Sequence, residues 1–204
     1  STLLRILAGV ILPTGGSFEY GGRPYDRLDM ELRRRIFFVP DGPIIFPDWT
    51  ILRHLAMVVN LYEAERPGIQ DEAIRLLKRF ELLEHVEMPV KTLSRGQAYK
   101  AGVCAALLSG APYLLLDEPF ASGMDPTGIA GLREELELRA RDGLSVLYTT
   151  QILDIAERFS ARVAVMHRGR LEAFGSMEEL RGQVTTASGK LEEIFQRLRE
   201  GPPA

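Results

Sequence analysis

The sequence predicts an α/β fold: a mainly parallel sheet flanked by helices, with a helical subdomain inserted into it. Three observations carry that expectation. Short apolar runs of strand length, at residues 36–39, 113–116 and 145–149, are separated by stretches of helical periodicity. Strand, helix, strand at this spacing favours parallel pairing with right-handed crossovers. Between Trp49 and Gly110 the strand pattern disappears and only helical spacing remains. Finally, the first run ends in Pro40-Asp41-Gly42-Pro43 and the second in Asp117-Glu118-Pro119, turns of the kind that carry ligand loops at the carboxyl ends of strands.

Taken in order, Thr2–Ala8 places Leu3, Leu4, Ile6 and Leu7 on a short helix that Gly9 stops. Gly16–Tyr20 alternates as a strand and turns at Gly21-Gly22, and Ile36–Val39 is a compact apolar strand. From Asp48 onward Ile51, Leu52, Leu55, Val58, Val59 and Tyr62 fall at helical spacing; after a linker at Glu65–Gln70, Ala73, Ile74, Leu77 and Phe80 repeat it. A helix opens at Ser94, with Ala98, Ala101, Gly102, Ala105 and Leu108 as a small-residue stripe suited to close packing. Tyr113–Leu116 is a strand, Ile129, Leu132 and Leu136 mark a helix, and Ser145–Thr149 is another strand. Ile152, Ile155, Ala156 and Phe159 give a further helix. Val163–His167 and Leu171–Phe174 flank Arg168-Gly169-Arg170 as a hairpin, and Ser176 with Glu179 forms a capping box that opens a short helix. Gln183–Gly189 reads as a flexible link and Lys190–Arg199 as an amphipathic helix. The expected division is an α/β core of residues 1–47 and 111–182, a helical subdomain of 48–110, and a link with a final helix at 183–204.

Composition narrows the function classes. With 204 residues, 46% hydrophobic and 26% charged, the chain can bury a good core. A net charge of -3 leaves no basic footprint, so no nucleic-acid partner is expected. A lone Cys104 within an apolar helix excludes a disulfide framework and suits a reducing compartment. Ile6–Leu12 follows Arg5 like a weak signal peptide, but no small-residue cleavage pattern follows and residues 13–16 read as a turn. Ala101–Leu116 is broken by Gly110 and Pro112 and is too short to span a bilayer. Any membrane role is therefore expected to come through a partner. The chain opens at Ser1 without an initiator methionine, which reads as a start inside an element with an upstream piece missing.

Two short stretches carry chemistry. Ser94-Arg95-Gly96-Gln97 reads as a capping box, in which Ser94 accepts from the Gln97 amide and the Gln97 side chain returns the bond. The same geometry offers free N–H groups and a partial positive charge to an anion such as phosphate. Asp117 and Glu118 follow four apolar strand residues. A carboxylate there can cap the next helix; alternatively, one of the pair holds Mg²⁺ through water while the other accepts a proton from an attacking water. His54, His85 and His167 share no ligand-like spacing and read as packing or surface residues. Trp49, after Pro47-Asp48, is read as a packing residue, with a partner contact as the other reading.

The combination is far more specific than its parts. LSRGQ, then YLLLDEP about twenty residues on, then SGMD, resembles the ATP-binding subunit of ABC transporters, in which the signature motif, the Walker B strand and the D-loop follow one another at this spacing. The resemblance covers essentially the whole chain and implies a P-loop NTPase-type fold. Ser1-Thr2 looks like the end of the phosphate-binding GKST loop, whose Gly-Lys would lie upstream with an aromatic for adenine. The terminal LEEIF run looks like that of exporter subunits. By this resemblance the cofactors are ATP and Mg²⁺. Ser1 would ligate the metal and Thr2 touch phosphate; Asp117 would hold the metal shell and Glu118 act as general base. Ser94, Gly96 and Gln97 would serve a nucleotide held by the opposite subunit of a head-to-tail dimer, homo- or heterodimeric, and Asp125 would communicate between the two sites. The partners implied are an integral membrane permease and a second ATP-binding subunit, with the chain peripheral on the cytoplasmic face of the membrane.

Three departures stand against the pattern. Asp41 occupies the place of a metal-binding glutamine and would join Ser1 and Asp117 as a Mg²⁺ ligand, while adding negative charge near phosphates. Gln151 replaces the switch histidine; it can donate a hydrogen bond but carries no positive charge. Arg95 replaces the first signature glycine. Two functions are therefore expected: an ATP-hydrolysing subunit powering export through a separate permease, or a catalytically weak regulatory subunit that completes a partner's ATP site. A DNA-repair or translation ATPase would need coiled-coil insertions or a second cassette, and neither is visible.

Overall fold

Residues 1–42 and 46–183 are described by the computed structural model and fall into two units, one of Ser1–Thr149 and one that begins at Thr150. In the first, α1 (Thr2–Leu7) buries Leu4 and stops where expected, at Gly9, which has a φ of +69°. A Cβ there would lie 1.7 Å from the Tyr25 hydroxyl, so both conformation and space require glycine. The strand expected over residues 16–20 is shorter. Gly16, at φ +82°, bends the chain, and only β1 (Glu19–Tyr20) pairs with β2 (Arg23–Pro24) across the Gly21-Gly22 turn. An unexpected helix, α2 (Met30–Arg34), follows; the Asp29 side chain caps it by accepting from the Leu32 N–H.

From β3 (Ile36–Val39) the chain enters helices alone: α3 (Ile51–Leu61), α4 (Ile69–Arg79) and α5 (Arg95–Leu108), with two short 3-10 turns before α5. Among the described residues no strand forms between Trp49 and Gly110, as the periodicity predicts. Trp49 packs in a local cluster, its ring centroid 4.5 Å from that of Phe46 and the Arg53 guanidinium 3.9 Å above it. Then come β4 (Tyr113–Leu116), α6 (Pro126–Arg141) and β5 (Ser145–Tyr148). The sheet order is β3-β4-β5 and all pairing is parallel, with Ile36 opposite Tyr113 and Tyr113 opposite Ser145. The central strand is the most enclosed: Leu114, Leu115 and Leu116 are all buried. Leu4, Leu32, Ile36 and Leu115 join α1, α2 and the sheet in one core cluster.

Helix α5 is buried along most of its length and is held at its C-terminus by arginines. Arg66 donates to the Leu108 carbonyl at 3.3 Å and Arg139 to the Leu107 carbonyl at 3.1 Å. Both arginines also pair with Glu72, each at 2.5 Å, so α4, α5 and α6 share one polar network. Burial pushes the Glu72 carboxyl up, but hydrogen bonds from Arg139 and Arg66 and their charges outweigh it and hold the pKa below the ordinary 4.5.

The second unit holds α7 (Leu153–Phe159), the antiparallel hairpin of β6 (Val163–His167) and β7 (Arg170–Gly175), and α8 (Met177–Gln183). Ala156, Val163, Val165, Ala173 and Leu180 form its core. The Ser176–Glu179 capping box is present in both directions, at 2.7 and 3.2 Å. Ile152, read as part of the α7 apolar face, is the N-cap and remains 40% exposed. The final helix expected at Lys190–Arg199 lies outside the described residues. No described helix is long and apolar enough to cross a membrane.

Two outcomes follow from this packing. Leu32→Ala, at a fully buried position, should cost about 2–5 kcal/mol, read as a lower midpoint in chemical denaturation. Because the Glu72 pKa is lowered on folding, its contribution is complete above 4.5 and is lost as the pH falls through the lowered value. Glu72→Gln should therefore flatten the acid limb of a melting-temperature profile.

Candidate functional site

The parallel register brings Val39, Leu116 and Tyr148 level, so the residues that follow them leave the sheet at one edge. The Asp117 N–H donates to the Val39 carbonyl at 2.9 Å and the Thr149 N–H to the Leu116 carbonyl at 3.0 Å, extending the ladder by one rung. The side chains then meet. The Thr149 hydroxyl donates to Asp117 Oδ1 at 2.8 Å and accepts from the Glu118 N–H at 3.1 Å. Glu118 has a φ of +49°, in the left-handed region, at a cost of about 1–2 kcal/mol for a residue with a Cβ. One threonine thus holds the buried carboxylate and the strained backbone of the next residue together.

Asp117 is 1% exposed. Burial pushes its carboxyl up, but hydrogen bonds from the Ser1 side chain and from Thr149 outweigh it and hold the pKa below the ordinary range. Below it, the fully buried Tyr99 donates to the Asp117 backbone carbonyl at 3.4 Å. Burial first, and then the charges of Asp117, Asp41 and Glu118, push the Tyr99 phenol far up, so it stays protonated.

The other end of the Thr92–Asp125 stretch is built separately. The Ser94 capping box is formed: Gln97 N–H to Ser94 Oγ at 3.2 Å, and Ser94 N–H to Gln97 Oε1 at 2.9 Å. Gln97 Nε2 also lies 3.2 Å from His85 Nε2, which engages this side chain within the chain. Gly96 is buried against the loop after β4, where a Cβ would stand 2.3 Å from the Gly123 carbonyl oxygen. Lys100, buried on α5, pairs with Asp125 and lies 3.8 Å from Glu81. That ammonium, through its hydrogen bond first, holds the Asp125 carboxyl below its ordinary value.

The predicted residues therefore sort into two groups. Ser1, Asp41, Asp117 and Glu118 gather at the sheet edge. Ser94, Gly96, Gln97 and Asp125 surround the first turns of α5. Thr2 is exposed in the first turn of α1, and Gln151 belongs to the second unit, where it is exposed next to Thr150, whose hydroxyl accepts from the Ile152 N–H. His54 is a packing residue: its Nε2 accepts from the Phe46 N–H and its Nδ1 meets the Thr50 carbonyl, both at 2.8 Å. Sequence reasoning missed the roles of Thr149, Tyr99 and Lys100. Nothing in the spacing ties Thr149 to Asp117, although a lysine within the apolar span of α5 is a signal that could have been followed.

The site suits a hard cation. Among the described residues Asp117 Oδ2 is buried with no hydrogen-bond partner, an orphan of the kind a native site does not leave without a purpose. The Ser1 hydroxyl, bonded to the same carboxylate, adds a second oxygen donor. Among the described residues no group of three or more His, Cys, Asp or Glu could hold a metal. A cation held by Asp117 and Ser1 would thus draw most of its shell from water and phosphate, the habit of Mg²⁺.

Thr149→Val keeps the shape but removes the hydroxyl that Asp117 Oδ1 and the Glu118 N–H share. It should cost about 1–3 kcal/mol in a denaturant titration, and Thr149→Ser should restore most of the loss. Gly96→Ala drives a new methyl group against the Gly123 backbone and should lower stability by about 1–3 kcal/mol, with the loss visible by calorimetry in the absence of any nucleotide.

Residues 1–121 match the family described as ABC transporter. The chain is 28% identical over 97% of its length to "ABC-type transporter ATP-binding protein EcsA" of Bacillus subtilis (strain 168), of which it spans 80%. A solved ATP-binding subunit of an ABC transporter superposes with a TM-score of 0.90 at 26% identity, covering 97% of this chain and 82% of that one. A dimeric ATP-binding cassette in a post-hydrolysis state, bound to ADP and Pi, shares the fold with a TM-score of 0.74 at 24% identity, over 86% of this chain and 79% of that one. With that family model matching more than half of its length, the chain belongs to the ABC transporter family, as an ATP-binding subunit.

Proposed function

We propose that this chain binds and hydrolyses ATP and that the hydrolysis powers export through a separate membrane permease. The observation that carries the reading is the Asp117–Thr149–Glu118 arrangement, with its orphaned Asp117 oxygen. In this reading Asp117 and Ser1 hold Mg²⁺, which neutralises charge on the phosphates, and Thr2 contacts phosphate. Glu118 takes the proton of the attacking water, and its left-handed backbone, fixed by Thr149, sets where its carboxylate stands. Gln151 occupies the switch position, where it can donate a hydrogen bond but no charge.

Ser94, Gly96 and Gln97 serve the nucleotide of a second ATP-binding subunit across a head-to-tail dimer, and Asp125 connects the two sites. The support is the exposure of Ser94 at the positive end of α5. Residues 48–110 act as a helical subdomain on the core of 1–47 and 111–182. An apolar cleft of about 440 Å³ between β3, α3 and α5, edged by exposed Met30 and Leu61, is where we place the permease. The chain then sits on the cytoplasmic face of the membrane. Export rests on the likeness of the LEEIF run at residues 191–195 to exporter subunits.

A second reading, a regulatory subunit with weak turnover of its own, is favoured by one observation: Asp41, at the place of a metal-binding glutamine, is engaged by Arg95. The two readings separate in one assay. In the full-length protein, Glu118→Gln should lower ATP turnover by about 10²-fold or more; undiminished turnover would overturn the base assignment. Gln151→His should raise turnover several-fold only if the regulatory reading holds.

A further inference from the structure

We propose that Arg95 is the positioning residue for Asp41, and that the two form a charge-compensated clasp joining the turn after β3 to the first turn of α5. Only the consequence for nucleotide rests on the function proposed above; the clasp stands on geometry. Arg95 Nη2 donates to Asp41 Oδ1 at 2.5 Å, linking positions on either side of the α3–α4 segment. The two side chains are 59% and 44% exposed, so the pair adds little to global stability. Its weight is local. Asp41 lies two residues beyond β3, and Asp117 follows the neighbouring β4 with its N–H on the Val39 carbonyl, so carboxylates leave the sheet at one edge, and the guanidinium answers the one that does not stand at the end of β4.

Each residue alone is awkward. Asp41 adds negative charge where anionic phosphates are to bind, and Arg95 puts a long cation where a glycine is expected. Together they cancel, and they do so across two loops. Arg95 is the first residue of α5, between the Ser94 cap and the buried Gly96, so its hold on Asp41 fixes the turn after β3 against the capping box. With Oδ1 engaged by the guanidinium, Asp41 serves Arg95 first, and the metal shell falls to Asp117 and Ser1. An arginine suits this task because its planar fork remains charged at any accessible pH.

The test is a double-mutant cycle in the full-length protein with D41Q, R95G and D41Q/R95G. The first readout is the melting midpoint without nucleotide, at low and at high salt. The second is the affinity for a fluorescent ATP analogue with Mg²⁺. Removal of Arg95 alone leaves Asp41 uncompensated and should weaken nucleotide binding about three- to ten-fold, while the double variant should return to within about two-fold of the parent. The midpoint cycle should be non-additive at low salt and approach additivity at high salt. If the substitutions add in both readouts, the clasp is overturned. Should the parent protein fail to bind the analogue, the nucleotide reading falls, and the midpoint cycle alone still decides the clasp. Where R95G does not fold, R95K takes its place in the cycle, with a smaller coupling expected because lysine lacks the fork.

Discussion

Every functional arrangement in the first unit depends on the parallel register of three four-residue strands. Because Val39, Leu116 and Tyr148 are level, Asp41, Asp117, Glu118 and Thr149 emerge at one edge. A slip of one residue in β4 would send its leucines to the wrong faces and carry Asp117 out of reach of Thr149. The register is in turn fixed by burial, since Leu114, Leu115 and Leu116 are enclosed and cannot shift without exposure. A short apolar strand thus acts as the ruler for a polar site.

Helix α5 is the second fixed body. Its first turn lies against the loop after β4 at Gly96 and Gly123, Lys100 joins it to Asp125, and its last carbonyls are taken by Arg66 and Arg139. It is therefore tied at both ends to elements that bear on the sheet edge or on α4 and α6. Charges packed around this helix are paired: Lys100 with Asp125, Glu135 with Arg75, and Glu72 with two arginines.

Much of this was legible before any coordinates. The apolar runs at 36–39 and 113–116 gave strands at those bounds, and Ser94 and Ser176 formed the capping boxes their spacing implies. Such features are local: the residues that make them lie within a turn of each other. What was hidden is non-local or conformational. Thr149 meets Asp117 only because two parallel strands end together, and the left-handed φ of Glu118 leaves no mark in composition. The Asp41–Arg95 pair was present in the sequence as two separate anomalies, and nothing linear joins them. Helix α2 escaped notice because a five-residue helix with one buried side chain, Leu32, shows no periodicity.

The pairing of Ile36 with Tyr113 also bears on how the chain reaches its fold. The whole α3–α5 segment lies between these partners, so loop-closure entropy opposes the β3–β4 contact until that segment has compacted. Helical order within residues 51–108 can form from neighbours alone, whereas β4 gains its cover late. During that interval the leucines of β4 are open to association with other chains, which makes this segment the vulnerable point of synthesis and refolding.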